Sequence, residues 1–246
     1  MTPTSVRAAL GTLLAGDAAQ PLISYLGADG ARTELSVRTF ENNVAKAANL
    51  LRDDADVGAE SQVALLLPPH WQLSVWLGAC AMTGCTAWLD GDPADPTVDV
   101  AVLGPATLDS ARAPLTLASS LHPFGLPFTT PLPPDVLDAS LEVRVHGDRF
   151  TPYDDVTGSS PWLRLGDRTW TQSEALGDAA ALASSLGLTS GGRVLCSRTL
   201  DHVSVLALLA VPLAVGGSVV LLDAAGLDEL AIAAIAERER CEAVLR

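Results

Sequence analysis

"VALLLPPHWQLSVWLGACAMTGCTAWLD", residues 63–90, decides the fold. Its opening run, 63–67, is short, unbroken and apolar, the pattern of a strand buried on both faces. From His70 to Thr83 apolar residues fall on every side, as in a mostly buried helix, and Gly84 supplies the stop. "CTAWLD" then reads as the next strand. Strand, helix and strand in this order form a βαβ unit, which requires a parallel sheet and a right-handed crossover.

Working outward, "VLCSRTLDHVSVLALLAVPLAVGGSVVLLD" at 194–223 runs through the same order. Val63 matches Val194 at the strand start, and His70 matches His202 at the helix start. Gly84 matches Gly217 at the stop, and Asp90 matches Asp223 at the end of the second strand. Upstream of each copy lies a turn-rich hairpin followed by an Ala-rich helix, "LGADGARTELSVRTFENNVAKAANLLRDD" (26–54) and "LGDRTWTQSEALGDAAALASSLG" (165–187). In the first of these helices Val37, Phe40, Val44, Ala47, Ala48 and Leu51 recur at helical spacing, and Ser36 is placed to cap the start. The repeat is too long for a short-period solenoid and reads as a duplicated supersecondary unit.

The fold class predicted is therefore α/β, with two pseudo-repeated parallel-sheet βαβ units. The first repeat spans 1–110 and the second 161–246. Between them, 111–160 is a proline-rich connecting segment: "LPFTTPLPPDV" and "HGDRFTPYDDVTGSSPW" are turn-forming, so strands here should be short and peripheral and the chain should run over the surface. Pro212 falls inside the second buried helix and should kink it.

The chain has 246 residues, 48% of them hydrophobic, enough for a sizeable core in one large domain or two small ones. A net charge of −14 repels nucleic acid and anionic lipid in the absence of a basic cluster, and none is present. No apolar run reaches the roughly 18 residues of a membrane span, and the N-terminus lacks a signal-peptide pattern, so a cytoplasmic location is expected. Cys80, Cys85, Cys196 and Cys241 lack the paired spacings of a zinc site and read as small buried residues. The four histidines never occur at metal-ligand spacing, no metal site is expected, and Asp154–Asp155 reads as a solvated turn. No G-x-S-x-G elbow occurs. Gly191–Gly192 and Gly216–Gly217 precede strands and read as helix stops, not as a dinucleotide fingerprint. Among the tryptophans, Trp76 and Trp88 are expected in the core, and Trp71, at a helix start, either packs or lines a cleft.

The stretch "SQVALLLPPHWQLSVWLGACAMTGCTAWLD" resembles the N-terminal segment of adenylate-forming acyl-CoA synthetases, the AMP-dependent synthetase/ligase family. "LGLTSGGRVLCSRTLDHVSVLALLAVPLAVGGSVVLLD" is similar to the segment that follows that family's phosphate loop. The resemblance covers most of this chain but only the first half of a family member, and it points to short actinobacterial relatives. It implies a Ser/Thr/Gly-rich loop ending in lysine that cradles ATP phosphates. The nearest candidate is a degenerate one, Thr157, Gly158, Ser159 and Ser160, with no lysine after it. Lys46 is the sole lysine and matches neither family lysine. Arg164 and Arg168 lie nearby, but a fork-shaped guanidinium is a poor substitute. The resemblance further implies that the C-terminal catalytic domain, with its second lysine and its "Y-G-x-T-E" segment, is missing from a chain read to Arg246.

No catalytic residue is assigned on this reading. The expected function is a non-catalytic binding or interaction protein, a pseudoenzyme, using the cleft between its halves for a small acyl or nucleotide ligand or for a protein partner. In the family a histidine lines the acyl pocket, and His202 stands at that place, either as a ligand contact or as a helix-start histidine held by its surroundings. The candidate ligand-binding residues are His202, Asp201 and Arg198, joined by Trp71 and His70 at the matching edge of the first repeat. No cofactor is expected. The alternative is an incomplete acyl-adenylating subunit completed by a partner chain, and only then would ATP, AMP or CoA bind.

Overall fold

The computed structural model describes residues 3–246. Helix α1 (Val6–Ala15) starts where Ser5 Oγ accepts the Ala8 N–H at 3.2 Å. A hairpin, β1 (Pro21–Leu26) and β2 (Arg32–Ser36), leads into α2 (Val37–Ala55), whose first turn Ser36 caps through the Thr39 N–H. Next come β3 (Gln62–Leu66), α3 (Trp71–Thr83) and β4 (Thr86–Trp88), with Gly84 at φ +84° ending the helix. β5 (Val100–Leu103), β6 (Leu115–Ala118), β7 (Val136–Asp138) and the short α4 (Ala139–Glu142) follow. The second half repeats the grammar with hairpin β8 (Pro161–Leu165) and β9 (Arg168–Thr171), then α5 (Gln172–Ser185) and β10 (Arg193–Cys196). Helices α6 (Ser204–Ala207) and α7 (Ala210–Val215), strand β11 (Ser218–Leu222), helix α8 (Glu229–Arg238) and strand β12 (Ala243–Leu245) complete it.

The predicted long helix around Pro212 is two short ones. Proline lacks an N–H and its ring collides with the carbonyl four residues back, here Leu208, so the chain breaks at Leu208–Leu209. Strand β4 is three residues long, and the chain turns away after Leu89, whose N–H still donates to the Arg164 carbonyl of β8.

Two compact units result, and neither is one half of the sequence. One comprises residues 3–40, 69–71 and 173–246 around a five-stranded sheet of order β12-β10-β11-β1-β2. The other comprises 41–68 and 72–172 around a seven-stranded sheet of order β7-β6-β5-β3-β4-β8-β9. All pairings are parallel except within the two hairpins, β1–β2 and β8–β9. The duplication is visible in these orders. β3-β4 is followed by a hairpin, and so is β10-β11, but in each sheet the hairpin comes from the other half of the chain. β5 and β12 stand in equivalent places beside β3 and β10.

The connecting segment contributes short strands at one end of the larger sheet, β6 beside β5 and β7 at the edge. Most of the rest of it is exposed or half-buried. In the larger unit Trp162 and Trp170 of the incoming hairpin are buried, and the indole of Trp162 donates to the Leu77 carbonyl at 2.8 Å. Burying side chains of this size stabilises the unit by about 2–3 kcal/mol each. Trp76 is also in the core, donating to Ser119 Oγ. Trp88, expected there, is only half-buried.

Candidate functional site

The carboxyl ends of parallel strands are where open α/β sheets hold ligands. At that end of β10 the backbone turns at Ser197 and presents Arg198, Asp201 and His202. Asp201 Oδ1 accepts the Val203 and Ser204 N–H groups at 3.0 and 2.7 Å, while Ser204 Oγ accepts the Asp201 N–H at 2.8 Å. The other carboxylate oxygen receives the Arg198 guanidinium in a close ion pair, and Arg198 also donates to the Arg246 carbonyl at 2.5 Å. Burial alone would raise the Asp201 pKa; the Arg198 guanidinium and the Ser204 and Val203 donors outweigh it and hold it at about 2. The two charges thus answer each other and fix the turn. His202 is exposed on that turn.

His70 and Trp71 form a second group in the same unit. The His70 ring meets Tyr25 edge-on, centroids 4.2 Å apart, and lies 5.6 Å from Trp71. His70 is 1% exposed, and this burial pushes its pKa down to about 3, so near pH 7 the ring is neutral imidazole and not imidazolium. The Tyr25 hydroxyl is raised, first by burial and then by Asp223 and Asp29. The structure therefore joins Arg198 to Asp201 and joins His70 to Trp71, with Tyr25 added by no signal in the sequence.

The degenerate phosphate-loop residues lie in the other unit. Thr157 N donates to Ser160 Oγ at 3.0 Å, Ser160 N to the Thr157 carbonyl at 3.1 Å, and the Thr157 and Ser159 hydroxyls share a bond of 2.9 Å. The turn satisfies itself. It also precedes β8, which runs parallel to β4, so it sits at the amino edge of the sheet, where Val156 packs on Gly84 and Asp154 accepts from Ala59. What stands at the carboxyl end of β8 is the tight turn Gly166–Asp167. There Asp90 Oδ2 accepts the Gly166 N–H at 2.9 Å, and Asp90 Oδ1 accepts the Trp88 indole N–H at 2.9 Å. Arg164 lies over the Trp88 ring at 3.6 Å and donates to Gln62 Oε1, and Arg168 lies over Trp170. Asp90 ends a strand in the sequence reading and lies two residues past β4 in the structure, and its grip on the facing hairpin turn depends on the exchange of hairpins, which no local pattern announces.

Among the described residues no cluster of His, Cys, Asp and Glu could hold a metal ion, and no helix is long and apolar enough to cross a membrane. Cys80, Cys85 and Cys196 are buried; burial pushes the Cys80 and Cys196 thiols up, and that of Cys241 up to about 11, away from nucleophilic thiolates.

No family model matches the chain. A TIGR03089 family protein of Mycobacterium tuberculosis (strain ATCC 25618 / H37Rv) is 41% identical over 200 residues, covering 79% of this chain and 79% of the relative. The chain belongs to the TIGR03089 family. The fold of this TIGR03089 family member is that of an acyl-CoA synthetase: the Brucella canis acyl-CoA synthetase superposes with a TM-score of 0.76 at 16% identity over 96% of the chain. The chain spans 46% of that synthetase's length.

Proposed function

We propose that this protein is a non-catalytic binding or interaction protein built on an acyl-CoA-synthetase-like α/β scaffold, in the cytoplasm. The observation that carries the reading is Asp90 at the carboxyl end of β8. An anion-binding turn works by aiming backbone N–H groups at phosphate oxygens. Here the Gly166 N–H is taken by a carboxylate, whose own charge repels an incoming phosphate by about 1–4 kcal/mol at 4 Å separation between water and a protein surface. The hydroxyls that a phosphate would use are bonded to each other at the opposite edge of the sheet. Under this proposal a small acyl or nucleotide ligand, or a protein partner, meets the edge carrying Arg198, Asp201, His202, His70 and Trp71.

A second reading is favoured by the fold match over nearly the whole chain: an acyl-adenylating subunit completed by a partner chain. ATP, AMP or CoA would be cofactors only then.

Thermal unfolding with ATP and magnesium, AMP, an acyl-CoA and a fatty acid separates the two, because a ligand bound only by the native state raises Tm. We expect no shift with ATP and magnesium and no ATP–pyrophosphate exchange with any carboxylic acid. A saturable ATP-dependent rise in Tm, or robust exchange by purified protein, overturns the first reading in favour of the second.

A further inference from the structure

The two sheets carry the same junction twice, and one copy is filled while the other is open. Where β4 meets β8, Trp88 stands in register with Arg164, and Leu89 N donates to the Arg164 carbonyl at 2.9 Å. Where β11 meets β1, Leu222 stands in register with Leu26, and Asp223 N donates to the Leu26 carbonyl at 2.9 Å. Leu222 thus occupies the position of Trp88, and Leu26 that of Arg164.

At the first junction the protein fills the space with its own indole. The ring is covered by the Arg164 guanidinium, its N–H is held by Asp90 Oδ1, and Gly91 packs so close that a Cβ there would come within 2.7 Å of the ring. At the second junction a cavity of about 260 Å³ opens beside Leu26 and Leu222, which pack on their other sides in a core cluster with Leu195, Val220, Ile232 and Ala236. Leu26 and Leu222 form its floor, the β1–β2 turn one wall, and Asp223, Leu227, Ile235 and Arg238 the others.

The lining offers the two kinds of group that hold Trp88, a carboxylate and a guanidinium, from other positions: Asp223 stands in register with Leu89, one residue before Asp90, and Arg238 belongs to α8. Asp223 accepts a single N–H, from Ala225 at 3.2 Å, leaving carboxylate lone pairs for another donor. Arg238 is 65% exposed, and its contact among the described residues is an ion pair with Glu239 at 3.6 Å, too long for a hydrogen bond, so the guanidinium is available to lie over a ring. The volume falls below the usual range for drug-sized ligands, about 300–1,000 Å³, which favours a single bicycle over a nucleotide.

We propose that the cavity between β11, β1 and α8 binds a planar heteroaromatic ring of about indole size that carries an N–H donor, the apolar face on Leu26 and Leu222, the N–H on Asp223 and Arg238 over the ring. Neither Arg198 nor His202 lines this cavity, so the proposal stands or falls apart from the reading of the β10 edge.

The test is an amide-resolved NMR titration of the whole chain with indole. Saturable shifts confined to residues 26–31 and 222–238 are expected. 1-Methylindole, which lacks the N–H, should bind at least about threefold more weakly, and Arg238→Ala should cost about two- to fivefold in affinity for indole. Leu222→Trp supplies the ring covalently, as at Trp88, and should abolish binding in the folded variant. Absence of saturable shifts, shifts elsewhere, equal binding of the two indoles, or undiminished binding by Leu222→Trp overturns the proposal. If Leu222→Trp fails to fold, the N-methyl comparison and Arg238→Ala, a surface change, decide it.

Discussion

His70 and His202 look alike in the sequence, each following a buried strand and opening a buried helix, yet they meet opposite environments. His202 is exposed on a turn that the Arg198–Asp201 pair holds in place, whereas His70 is sealed against Tyr25 and Trp71. Burial cannot be read from a residue's own neighbours in sequence, which is why the two histidines could not be told apart there. The difference has a measurable consequence. The His70 pKa is about 3 in the folded chain and about 6.5 unfolded. Between those values the unfolded chain binds a proton that the folded chain refuses, so stability is full above pH 6.5 and falls as pH drops toward 3. The slope from this one group is about 1.4 kcal/mol per pH unit. Urea titrations between pH 6 and 4.5, above the range of most carboxylates, should show the stability loss in the wild type and a flatter profile in His70→Phe. Equal slopes would mean that His70 titrates normally in the fold.

Elements were the most legible level, because a buried strand, a buried helix and a glycine stop each leave a local signature. β3, α3, β10 and β11 all form where the apolar runs place them. The exception is the helix around Pro212, where one proline outweighs an apolar run on both sides. The glycines show what such punctuation does in space. Gly216, at φ +68°, closes α7, and Gly217 then passes so near the other glycine pair that a Cβ on it would lie 1.9 Å from the Gly192 carbonyl oxygen. That obstacle is backbone and cannot swing aside. Gly217→Ala should therefore cost about 3 kcal/mol or more. Gly177, exposed in α5 with open space around its Cα, makes the opposite case, since alanine there gains helix propensity and should stabilise by up to about 1 kcal/mol. Denaturation midpoints of the two variants check both. A mild Gly217→Ala would mean that the strand start shifts freely.

At the scale of the whole molecule, the repeat was readable but the exchange was not. Periodicity reports what an element is, whereas strand partners are chosen by long-range pairing that leaves no local trace. The halves of the sequence are consequently not units that fold by themselves. A fragment of residues 151–246 keeps β10, β11 and β12 but lacks β1, on which Leu22, Ile23 and Ser24 are buried against β11 and its neighbours. It also holds the hairpin β8–β9 with no β4 to pair with, leaving Trp162 and Trp170 without their core. The complementary fragment, 1–150, has the mirror defect, with a β1–β2 hairpin that has lost β11. Loss of the buried surface of several large side chains, about 1.5–3 kcal/mol each, exceeds what a domain of this size has in reserve. Neither fragment alone should unfold cooperatively. Mixed together, they should reassemble, because every strand then finds its partner and only one chain connection is missing. Fluorescence reads this directly: Trp162 and Trp170 are the only tryptophans of the C-terminal fragment, and their emission should move from that of exposed to that of buried indole when the N-terminal fragment, carrying the Leu77 carbonyl, is added. A C-terminal fragment that is native-like by itself, with blue emission and a cooperative melt, would refute the exchanged architecture.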